Sequence, residues 1–399
     1  MAAIFAASAD AETLLLERTP DGGRKILISG GGRCNVLPVR ADPARFVTDS
    51  APRTLVRMLR SWPLREQVLF FEEELGVPLA EEPESGKLFP ASNRAKDVRD
   101  ALLALARRRG VRMTPDTLVT GLEPAGARWR IERDGAPPLE ADAVVVATGG
   151  LSIPKSGSDG IGLSVLAKLG HAIHPTYPAL TPLTAPPSAF AELAGVSLPV
   201  TLTARSAERS AAATGGFLFT HRGYSGPSVL DVSHVAVRAT DGPAAAPASL
   251  SVRWTALDEP AWTQALLPDG PRTVVGALRG RLPERLAVAL CAVARVDPAR
   301  RLAQLKRDER LRLTETLVRG ELPLSGHEGY AKAEVTGGGV NLDEVDPATM
   351  ESRKHRRLFL CGEILDAFGP IGGHNFQWAW ATGRAAGLGV AAAVRSADL

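Results

Sequence analysis

The first stretch whose residue types could do chemistry is RKILISGGGRCN, at residues 24–35. Its three consecutive glycines, which permit positive φ and a close approach of the backbone to a bound group, are Gly30, Gly31 and Gly32. A cation, Arg33, a thiol, Cys34, and an amide, Asn35, follow directly. The thiolate is the reactive form of cysteine, and a neighbouring arginine would lower the thiol pKa. The stretch therefore suits a phosphate-binding loop, a redox cysteine beside a cofactor, or a plain turn.

A second glycine-rich stretch, GPIGGHNFQ at residues 369–377, precedes a helical pattern. It puts Gly372, Gly373, His374 and Asn375 at the expected N-terminus of that helix. Backbone N–H groups and the positive end of the helix dipole stabilise negative charge at such a position. His374 is a candidate proton donor to a substrate, although a single histidine in a loop is also common as polar lining.

Composition limits the class of protein. The chain has 399 residues and a net charge of +3, which favours no particular partner. None of Cys34, Cys291 and Cys361 forms a C-x-x-C pair or lies in zinc spacing, so neither a metal site nor a disulfide reductase of the usual kind is predicted. The sparse cysteines fit a reducing compartment, and no apolar run approaches the roughly 20 residues of a membrane span. We expect a cytoplasmic protein without membrane association.

The outer parts of the chain alternate apolar strand patterns with helical ones, which predicts an α/β domain. The predicted strands lie at 13–18, 111–124, 129–135, 142–150 and 356–363. The predicted helices lie at 2–9, 62–76, 93–110 and 376–394. Ser92 or Asn93 is expected to cap the third helix, and TLLLER (13–18) is expected to be a buried strand of a parallel sheet.

Ligands bind at the carboxyl ends of the strands in open α/β sheets. We therefore expect the glycine clusters at such strand ends, and these clusters lie at 30–32, 149–150, 337–339 and 372–373.

The pattern changes in the middle of the chain. Alternating residues at 197–205, 215–221 and 249–255 predict antiparallel strands, whereas 271–319 has a helical and basic pattern. We predict an outer domain, an inserted β unit and an inserted helical unit, with these boundaries: 1–184 and 336–399 for the outer domain, 185–256 for the β unit, and 257–335 for the helical unit.

Two polar features of the inserted part are candidates for ligand contact. His221 and Tyr224 lie in FLFTHRGYSGP and could orient a substrate. The basic stretch at 300–312 could touch nucleic acid, but the interleaved Asp308 and Glu309 favour an ordinary solvated helix face.

Glu17 ends the first predicted strand, where the acid of a dinucleotide-binding unit accepts a hydrogen bond from a ribose 2′-hydroxyl. The glycine fingerprint that precedes this acid by about 20 residues would fall before Met1. Either the start codon is assigned too late or the chain lacks the first strand. We favour the first interpretation, because a missing central strand would leave its neighbours with unpaired backbone groups.

Taken together, the motifs resemble the BaiN-like, aminoacetone oxidase-like family of bacterial FAD-binding oxidoreductases. The resemblance runs from residue 1 to about 395, and its blocks are GRKILISGGGRCNV (23–36), ATGGLSIPKSGSDGIGLSVLAKLGH (147–171), PALTPL (178–183), GFLFTHRGYSGPSVLDVS (216–233), AEVTGGGVNLDEVDPATMESR (333–353) and LFLCGEILDAFGPIGGHNFQWAWATGRAAG (358–387).

This resemblance implies a Rossmann-like FAD domain of the two-dinucleotide type, interrupted by a β-barrel-like unit and a helical unit. Members normally begin with the glycine fingerprint, and many have an aromatic residue at the position of His374. The chain departs from the family at both places.

The resemblance implies contacts to FAD along the whole cofactor. Glu17 would bind the ribose, the backbone of Val119 the adenine edge, and Arg24 and Lys25 the adenosine and diphosphate side. Arg24 and Lys25 could instead be a solvated basic pair, and Val119 could be a core residue.

The turn of Thr148, Gly149 and Gly150 would lie near the diphosphate, and Gly362 with Glu363 near the ribityl hydroxyls, for which Asp366 is a second candidate. Together with the two glycine-rich loops, the candidate FAD contacts are Glu17, Arg24, Lys25, Gly30, Gly31, Gly32, Arg33, Asn35, Val119, Thr148, Gly149, Gly150, Gly362, Glu363, Asp366, Gly372, Gly373 and Asn375.

The leading hypothesis is an FAD-dependent oxidoreductase that transfers hydride between flavin N5 and an unidentified small organic substrate. NAD(P)H, bound transiently, or dioxygen would close the cycle, since no second dinucleotide fingerprint is visible. His374 and Cys34 are the candidate catalytic residues. An FAD-assisted RNA-modification protein and an inactive remnant that lacks the phosphate loop are the alternatives. The leading hypothesis involves no nucleic acid, and the sequence does not specify an oligomeric state.

Overall fold

The computed structural model describes residues 1–83, 85–187, 190–241 and 248–395. The helices within these ranges are α1 (Ala2–Ala7), α2 (Arg24–Ile28), α3 (Pro52–Arg60), α4 (Leu64–Leu69), α5 (Ala95–Arg108), α6 (Ile161–Lys168), α7 (Pro227–Asp241), α8 (Glu259–Ala265), α9 (Val274–Leu278), α10 (Glu284–Val293), α11 (Arg307–Arg319) and α12 (His374–Arg395).

The strands within the same ranges are β1 (Leu14–Leu16), β2 (Leu37–Pro38), β3 (Leu79–Glu82), β4 (Lys87–Pro90), β5 (Arg112–Thr114), β6 (Val119–Ala125), β7 (Arg128–Arg133), β8 (Ala136–Ala141), β9 (Val144–Val146), β10 (Ile173–Ala179), β11 (Leu183–Thr184), β12 (Ser197–Arg205), β13 (Ser210–Phe219), β14 (Gly223–Ser225), β15 (Ser249–Arg253), β16 (Gly320–Leu322), β17 (Gly326–His327), β18 (Val335–Val340) and β19 (Leu358–Leu360).

The chain divides into two compact units. Unit 1 comprises Met1–Thr176 and Val335–Leu399, and unit 2 comprises Tyr177–Glu334. Unit 2 is thus inserted between the two segments of unit 1.

Parallel strand pairs form the framework of unit 1. β1 pairs with β5, and β9 pairs with β19. The β-branched run Val144–Val146 pairs in register with Leu358–Leu360, whose side chains are buried. Because both strands of the second pair run in the same direction, the residues that follow them, 147–150 and 361–363, emerge at the same edge.

Small residues let α12 pack closely against α1. A Cβ atom at Gly387 would lie 2.9 Å from the Phe5 Cβ, and one at Gly383 would lie 3.1 Å from the Met1 Cβ. The glycines that would weaken an exposed helix therefore serve helix–helix contact here.

Unit 2 is built on an antiparallel sheet of seven described strands in the order β16-β15-β12-β13-β14-β11-β17. The alternation of SLPVTLTAR buries Val200, Leu202 and Ala204 on one face of β12. The sheet shares one hydrophobic core with the helices of the unit, to which Trp254 and Trp262 contribute fully buried rings.

The predicted fold class, an α/β domain interrupted by an inserted unit, is confirmed. Three local expectations are wrong. Strand β1 is only partly buried, with Leu14 exposed by 42%, because β5 is its only neighbour among the described residues. Helix α5 has Arg94 at its N-cap without a side-chain cap, because a guanidinium has no acceptor for the helix N–H groups.

The third error concerns the glycine clusters. Gly30–Gly32 follow helix α2 rather than a strand, and residues 337–339 lie inside the buried strand β18. The cluster at 149–150 does follow a strand, β9, as expected, whereas 372–373 directly precede α12.

No helix in the described ranges is long and apolar enough to cross a membrane.

Candidate functional site

The carboxyl end of β1 presents Glu17 with one carboxylate oxygen in use. Oε1 accepts hydrogen bonds from the Thr19 N–H at 2.8 Å and the Thr19 hydroxyl at 2.7 Å. No described residue donates to Oε2. The backbone N–H of Thr117 donates to the Glu17 carbonyl at 2.9 Å, which brings the start of β6, and with it Val119, to this strand end. Glu17 therefore retains a free acceptor at the edge where a ligand is expected.

The carboxyl ends of β9 and β19 meet around Glu363. Its Oε1 accepts from the Ser152 hydroxyl at 2.6 Å and from the Thr336 N–H at 3.0 Å, and its Oε2 accepts from Lys25 Nζ at 2.5 Å. Lys25 Nζ also contacts the Ser152 hydroxyl at 2.5 Å. We call Lys25, Ser152, Thr336 and Glu363 the Glu363 cluster. The fold thus joins two predicted site residues, Lys25 and Glu363, across almost the whole sequence.

The turn after β9 has no room for side chains. A Cβ atom at Gly150 would lie 2.6 Å from the Thr336 Cβ and 3.1 Å from Glu363 Oε1. Gly149 has φ +73°, in the region that favours glycine. Thr148 is exposed, and helix α6 approaches it through Gly162, where a Cβ atom would lie 3.0 Å from the Thr148 Cβ. The turn therefore presents bare backbone beside a carboxylate and a cation.

Arg24 lies apart from this cluster. Its Nε donates to Asp21 at 3.0 Å, and the side chains are exposed by 39% and 49%. The alternative of a solvated basic residue therefore describes Arg24 but not Lys25.

The loop with Gly30, Gly31 and Gly32 is exposed, and all three glycines have positive φ. Arg33 pairs with Glu82 at 2.9 Å, and its guanidinium lies over the Phe89 ring at 4.2 Å. The charge of Arg33 is thus directed away from the thiol that follows it.

Cys34 is fully buried in a hydrophobic cluster. Burial raises the pKa of its thiol to about 11, because the thiolate is poorly solvated there. The expectation that Arg33 lowers this pKa is wrong. Cys34 is a protonated, packed residue at neutral pH.

The GGHN loop packs against Leu37 of strand β2, which begins two residues after the first loop. A Cβ atom at Gly373 would lie 2.8 Å from the Leu37 Cα, and the Trp380 indole N–H donates to the Val36 carbonyl at 3.1 Å. The Asn375 side chain closes the loop, because it accepts from the Gly369 N–H at 2.9 Å and donates to the Gly369 carbonyl at 3.0 Å. Gly372 has φ +111°. The fold therefore brings together the two stretches that the sequence singled out.

His374 is buried at the first position of α12. Its ring meets the Phe46 ring edge-on, with the centroids 6.0 Å apart. Burial, and to a smaller extent the charge of Arg45, lowers the pKa of His374 to about 4. The imidazole is therefore neutral at pH 7, which differs from the protonated acid that the sequence suggested.

Asp366 serves the turn before α3. Its buried Oδ2 accepts from the Thr48 hydroxyl at 2.9 Å, from the Ser50 N–H at 2.9 Å and from the Ser50 hydroxyl at 2.8 Å. Burial raises the pKa of Asp366, and the hydrogen bonds from Ser50 and Thr48 oppose that shift. Both predicted ribityl-binding carboxylates thus already accept hydrogen bonds from the protein, Glu363 through both oxygens and Asp366 through Oδ2.

The inserted-unit candidates divide between surface and core. His221 is exposed, whereas Tyr224 is buried within an aromatic cluster with Phe217 and Phe219. Burial raises the pKa of the Tyr224 hydroxyl.

Three buried polar atoms of the two loops have no hydrogen-bond partner: Asn35 Oδ1, His374 Nδ1 and Gln377 Oε1. Sequence analysis missed Gln377, Ser152 and Thr336. A glutamine in the first turn of an otherwise apolar helix is a signal that could have found Gln377, whereas the roles of Ser152 and Thr336 depend on contacts between distant segments.

No group of His, Cys, Asp and Glu in the described ranges could hold a metal ion. The site instead consists of strand ends, glycine turns and the start of a long helix, which is the arrangement of a dinucleotide-binding α/β domain.

Comparison with known proteins gives the family. A family model described as the HI0933-like protein Rossmann domain matches residues 1–389. The chain belongs to this family of flavoproteins, and the resemblance inferred from the motifs is confirmed.

Two relatives match over nearly their whole length. The chain is 32% identical to the 3-dehydro-bile acid delta(4,6)-reductase of Clostridium scindens, over 98% of this chain and 96% of the relative. It is 30% identical to the ribosomal RNA dihydrouridine synthase of Escherichia coli, over 95% of this chain and 92% of the relative.

Solved structures share the fold. The 3-ketosteroid-delta4-(5alpha)-dehydrogenase of Rhodococcus jostii matches with a TM-score of 0.50 and 15% identity, over 98% of this chain and 94% of that one. A quinol-fumarate reductase matches with a TM-score of 0.51 and 15% identity, over 99% of this chain and 69% of that one. At this identity the likeness concerns the fold alone.

Proposed function

We propose that this flavoprotein is an FAD-dependent reductase that saturates a carbon–carbon double bond conjugated to a carbonyl group. Family membership gives the general class, an FAD-binding oxidoreductase. The single observation that carries the site assignment is the convergence of Lys25, Glu363 and the bare Gly149–Gly150 turn at one sheet edge.

The residues at this edge fit FAD. Glu17 Oε2 is an acceptor that no described residue uses, as a ribose hydroxyl requires. The glycine turn admits a diphosphate to the backbone, and Lys25 supplies a cation beside it. Asn35 and Gln377 contribute buried polar atoms that lack partners, which suits the polar edge of a flat ring.

When bound, FAD supplies hydride transfer at N5. The residues of the chain would bind and orient it. Glu363 would accept from the ribityl hydroxyls while Lys25 offsets its charge, and the N-terminal end of α12 would favour negative charge on the ring. The contact between the partly buried Phe46 ring and the buried His374 ring would help to exclude water from this end of the site.

The names of the relatives support the substrate class. A delta(4,6)-reductase saturates alkenes of a 3-oxo compound, and a dihydrouridine synthase saturates the C5=C6 bond of uracil. In both molecules the alkene is conjugated to a carbonyl group, so that hydride adds to the β-carbon and a proton to the α-carbon. The shared chemistry is the basis for assigning this reaction to the chain, with NAD(P)H as the transient electron donor.

The test is anaerobic reoxidation of the reduced holoenzyme. Purified protein that carries reduced FAD is mixed with a 3-oxo-Δ4 steroid, with a uridine-containing RNA, or with the saturated counterpart of each. Return of the oxidised flavin absorption with an unsaturated compound, together with a product that has gained two hydrogens, is the expected result. If none of the unsaturated compounds reoxidises the flavin, and dioxygen admitted afterwards does, the proposal is overturned and an oxidase is indicated.

A further inference from the structure

Helix α3 carries a basic stripe. Its sequence, PRTLVRMLR, contains Arg53, Arg57 and Arg60 and no acidic residue. The spacing of four and then three residues puts the three side chains on one helix face. All three are exposed. We call this face the α3 arginine stripe.

The stripe is not neutralised by the protein. No described residue forms a hydrogen bond or ion pair with Arg53, Arg57 or Arg60. Two other exposed arginines of unit 1, Arg94 and Arg128, are by contrast paired with Asp97 and Glu140. Three neighbouring guanidinium groups without acids repel one another, and an anionic partner would relieve that repulsion.

We propose that the α3 arginine stripe binds the phosphate backbone of RNA. Arginine forms bidentate hydrogen bonds with phosphate oxygens, which lysine cannot do. At about 1.5 Å of rise per residue, the stripe spans about 10 Å along the helix. At about 3.4 Å of helix axis per phosphate in one strand, a nucleic acid presents about three phosphates over such a length, so that each guanidinium has a partner.

The rest of α3 favours RNA over a lipid surface. Its apolar side chains Leu55, Met58 and Leu59 are buried in the core of unit 1. A membrane-surface helix needs an exposed apolar face to insert between lipids, and α3 does not present one. The stripe provides charge alone, which is what a phosphate backbone requires.

The stripe belongs to the same chain segment as the wall of the candidate site. Phe46 contacts the His374 ring, and the turn that follows is closed by the hydrogen bonds of Ser50 to Asp366. Helix α3 then begins at Pro52, where the Thr54 hydroxyl donates to Asp343 at 2.7 Å. The stripe is thus held on a rigid element, and phosphate contacts there would position an RNA without reading its bases.

The RNA-binding role of the stripe rests on the proposed function, in which RNA carries the uracil base that is reduced. RNA binding is measured without turnover, however. Failure to bind RNA and failure to reduce a conjugated alkene are therefore separate results.

Helix α11 provides a matched control. Its acids are engaged within unit 2, since Asp308 pairs with Arg312 and Glu309 pairs with Arg300. Three exposed cations nearby, Arg301, Lys306 and Arg307, have no ion pair among the described residues. They offer a second triple of equal charge on the other unit.

The experiment compares two triple variants of the holoenzyme with the wild type. One is Arg53→Gln/Arg57→Gln/Arg60→Gln, and the other is Arg301→Gln/Lys306→Gln/Arg307→Gln. The probe is a fluorescently labelled single-stranded, uridine-containing RNA, with anisotropy recorded over a series of salt concentrations. Thermal melting and the bound flavin content check that each variant is folded.

We expect the α3 triple variant to bind RNA about tenfold or more weakly than the wild type. The slope of log affinity against log salt concentration should fall by about 2, which is the value for three lost phosphate contacts on a single strand. The α11 triple should change the affinity by less than about twofold. Reoxidation by a small conjugated ketone should be unchanged in the α3 triple.

Three results would overturn the inference. They are no RNA binding by the wild type, loss of binding in the α11 triple instead of the α3 triple, and equally tight binding to an acidic polypeptide or to anionic lipid vesicles. The last two partners are tested in the same assay by competition.

Discussion

The two glycine-rich loops of unit 1 differ in why they need glycine. A Cβ atom at Gly31 would meet no other atom within 4 Å, whereas one at Gly373 would lie 2.8 Å from the Leu37 Cα. Both residues have positive φ. The first loop therefore requires glycine for its backbone conformation only, and the second requires it for conformation and for space.

The neighbouring side chains show the same contrast. In the first loop Arg33 is partly exposed and paired with Glu82. In the second, His374 is buried and Asn375 is used to close the loop. Similar sequences thus give an open loop and a packed loop, and glycine content alone does not separate them.

The largest expected effect is that of Gly373→Ala. Left-handed strain and overlap with Leu37 should together lower the free energy of unfolding by about 2–5 kcal/mol. Urea unfolding followed by circular dichroism measures this. A loss no larger than the one that positive φ alone causes in the open first loop, about 1–2 kcal/mol, would show that the second loop is as open as the first.

The second expected effect concerns His374 and pH. Burial lowers the pKa of His374 from 6.5 to about 4. Between pH 6.5 and pH 4 the imidazole therefore binds a proton in the unfolded chain but not in the folded one. The free energy of unfolding should therefore fall as the pH decreases from 6.5 to 4, and His374 should account for about 2 kcal/mol of the loss between pH 7 and pH 5.

His374→Gln provides the comparison, because His171 and His234 also have lowered pKa values. The pH dependence of unfolding should be shallower in the variant by the His374 contribution. Parallel profiles for the wild type and the variant would contradict the burial of this imidazole.

Gly31→Ala should have a smaller effect, because nothing occupies the space that the new methyl group enters. Positive φ alone should reduce the free energy of unfolding by about 1–2 kcal/mol. Measured beside Gly373→Ala under the same conditions, it separates strain from overlap. Equal losses in the two variants would remove the distinction between the loops.

Cys34→Ala should have the smallest effect on activity. A buried thiol with a pKa of about 11 supplies no thiolate at neutral pH, so the rate of flavin reoxidation should stay within about twofold of the wild type. Stopped-flow absorption measures this rate. A loss of a hundredfold or more would restore Cys34 as a catalytic residue.

The sequence predicted long, strongly patterned elements well. The Trp- and Ala-rich pattern after GGHN does form helix α12, and DAVVVATGG does contain strand β9 followed by a glycine turn. Both predictions rest on local periodicity and turn chemistry, which act within one segment.

Prediction from the sequence failed where contacts with distant backbone segments determine which residue fits. The glycines of TGGGV were expected at a strand end, yet they lie inside the buried strand β18. A Cβ atom at Gly338 would lie 2.8 Å from the Pro175 carbonyl carbon, and one at Gly339 would lie 2.6 Å from the Ile364 carbonyl oxygen. The Glu363 cluster was only half predicted for the same reason. Lys25 and Glu363 came from family motifs, whereas Ser152 and Thr336 are recognised only through their contacts.

The central claim is that the Glu363 edge of unit 1 holds FAD, and FAD titration of the purified protein tests it most directly. Flavin is removed, FAD is added back, and flavin fluorescence is followed for the wild type, Glu363→Gln and Glu82→Gln. Glu82 is a matched control, because its carboxylate also pairs with a cation but lies outside the Glu363 cluster.

We expect the wild type to bind a single FAD per chain. The Glu363→Gln variant should bind FAD about tenfold or more weakly, because it loses charge-assisted hydrogen bonds, whereas Glu82→Gln should bind FAD with unchanged affinity. A protein that does not take up FAD, or a Glu363→Gln variant that binds it as tightly as the wild type, would contradict the assignment. The first of these results would favour an inactive remnant.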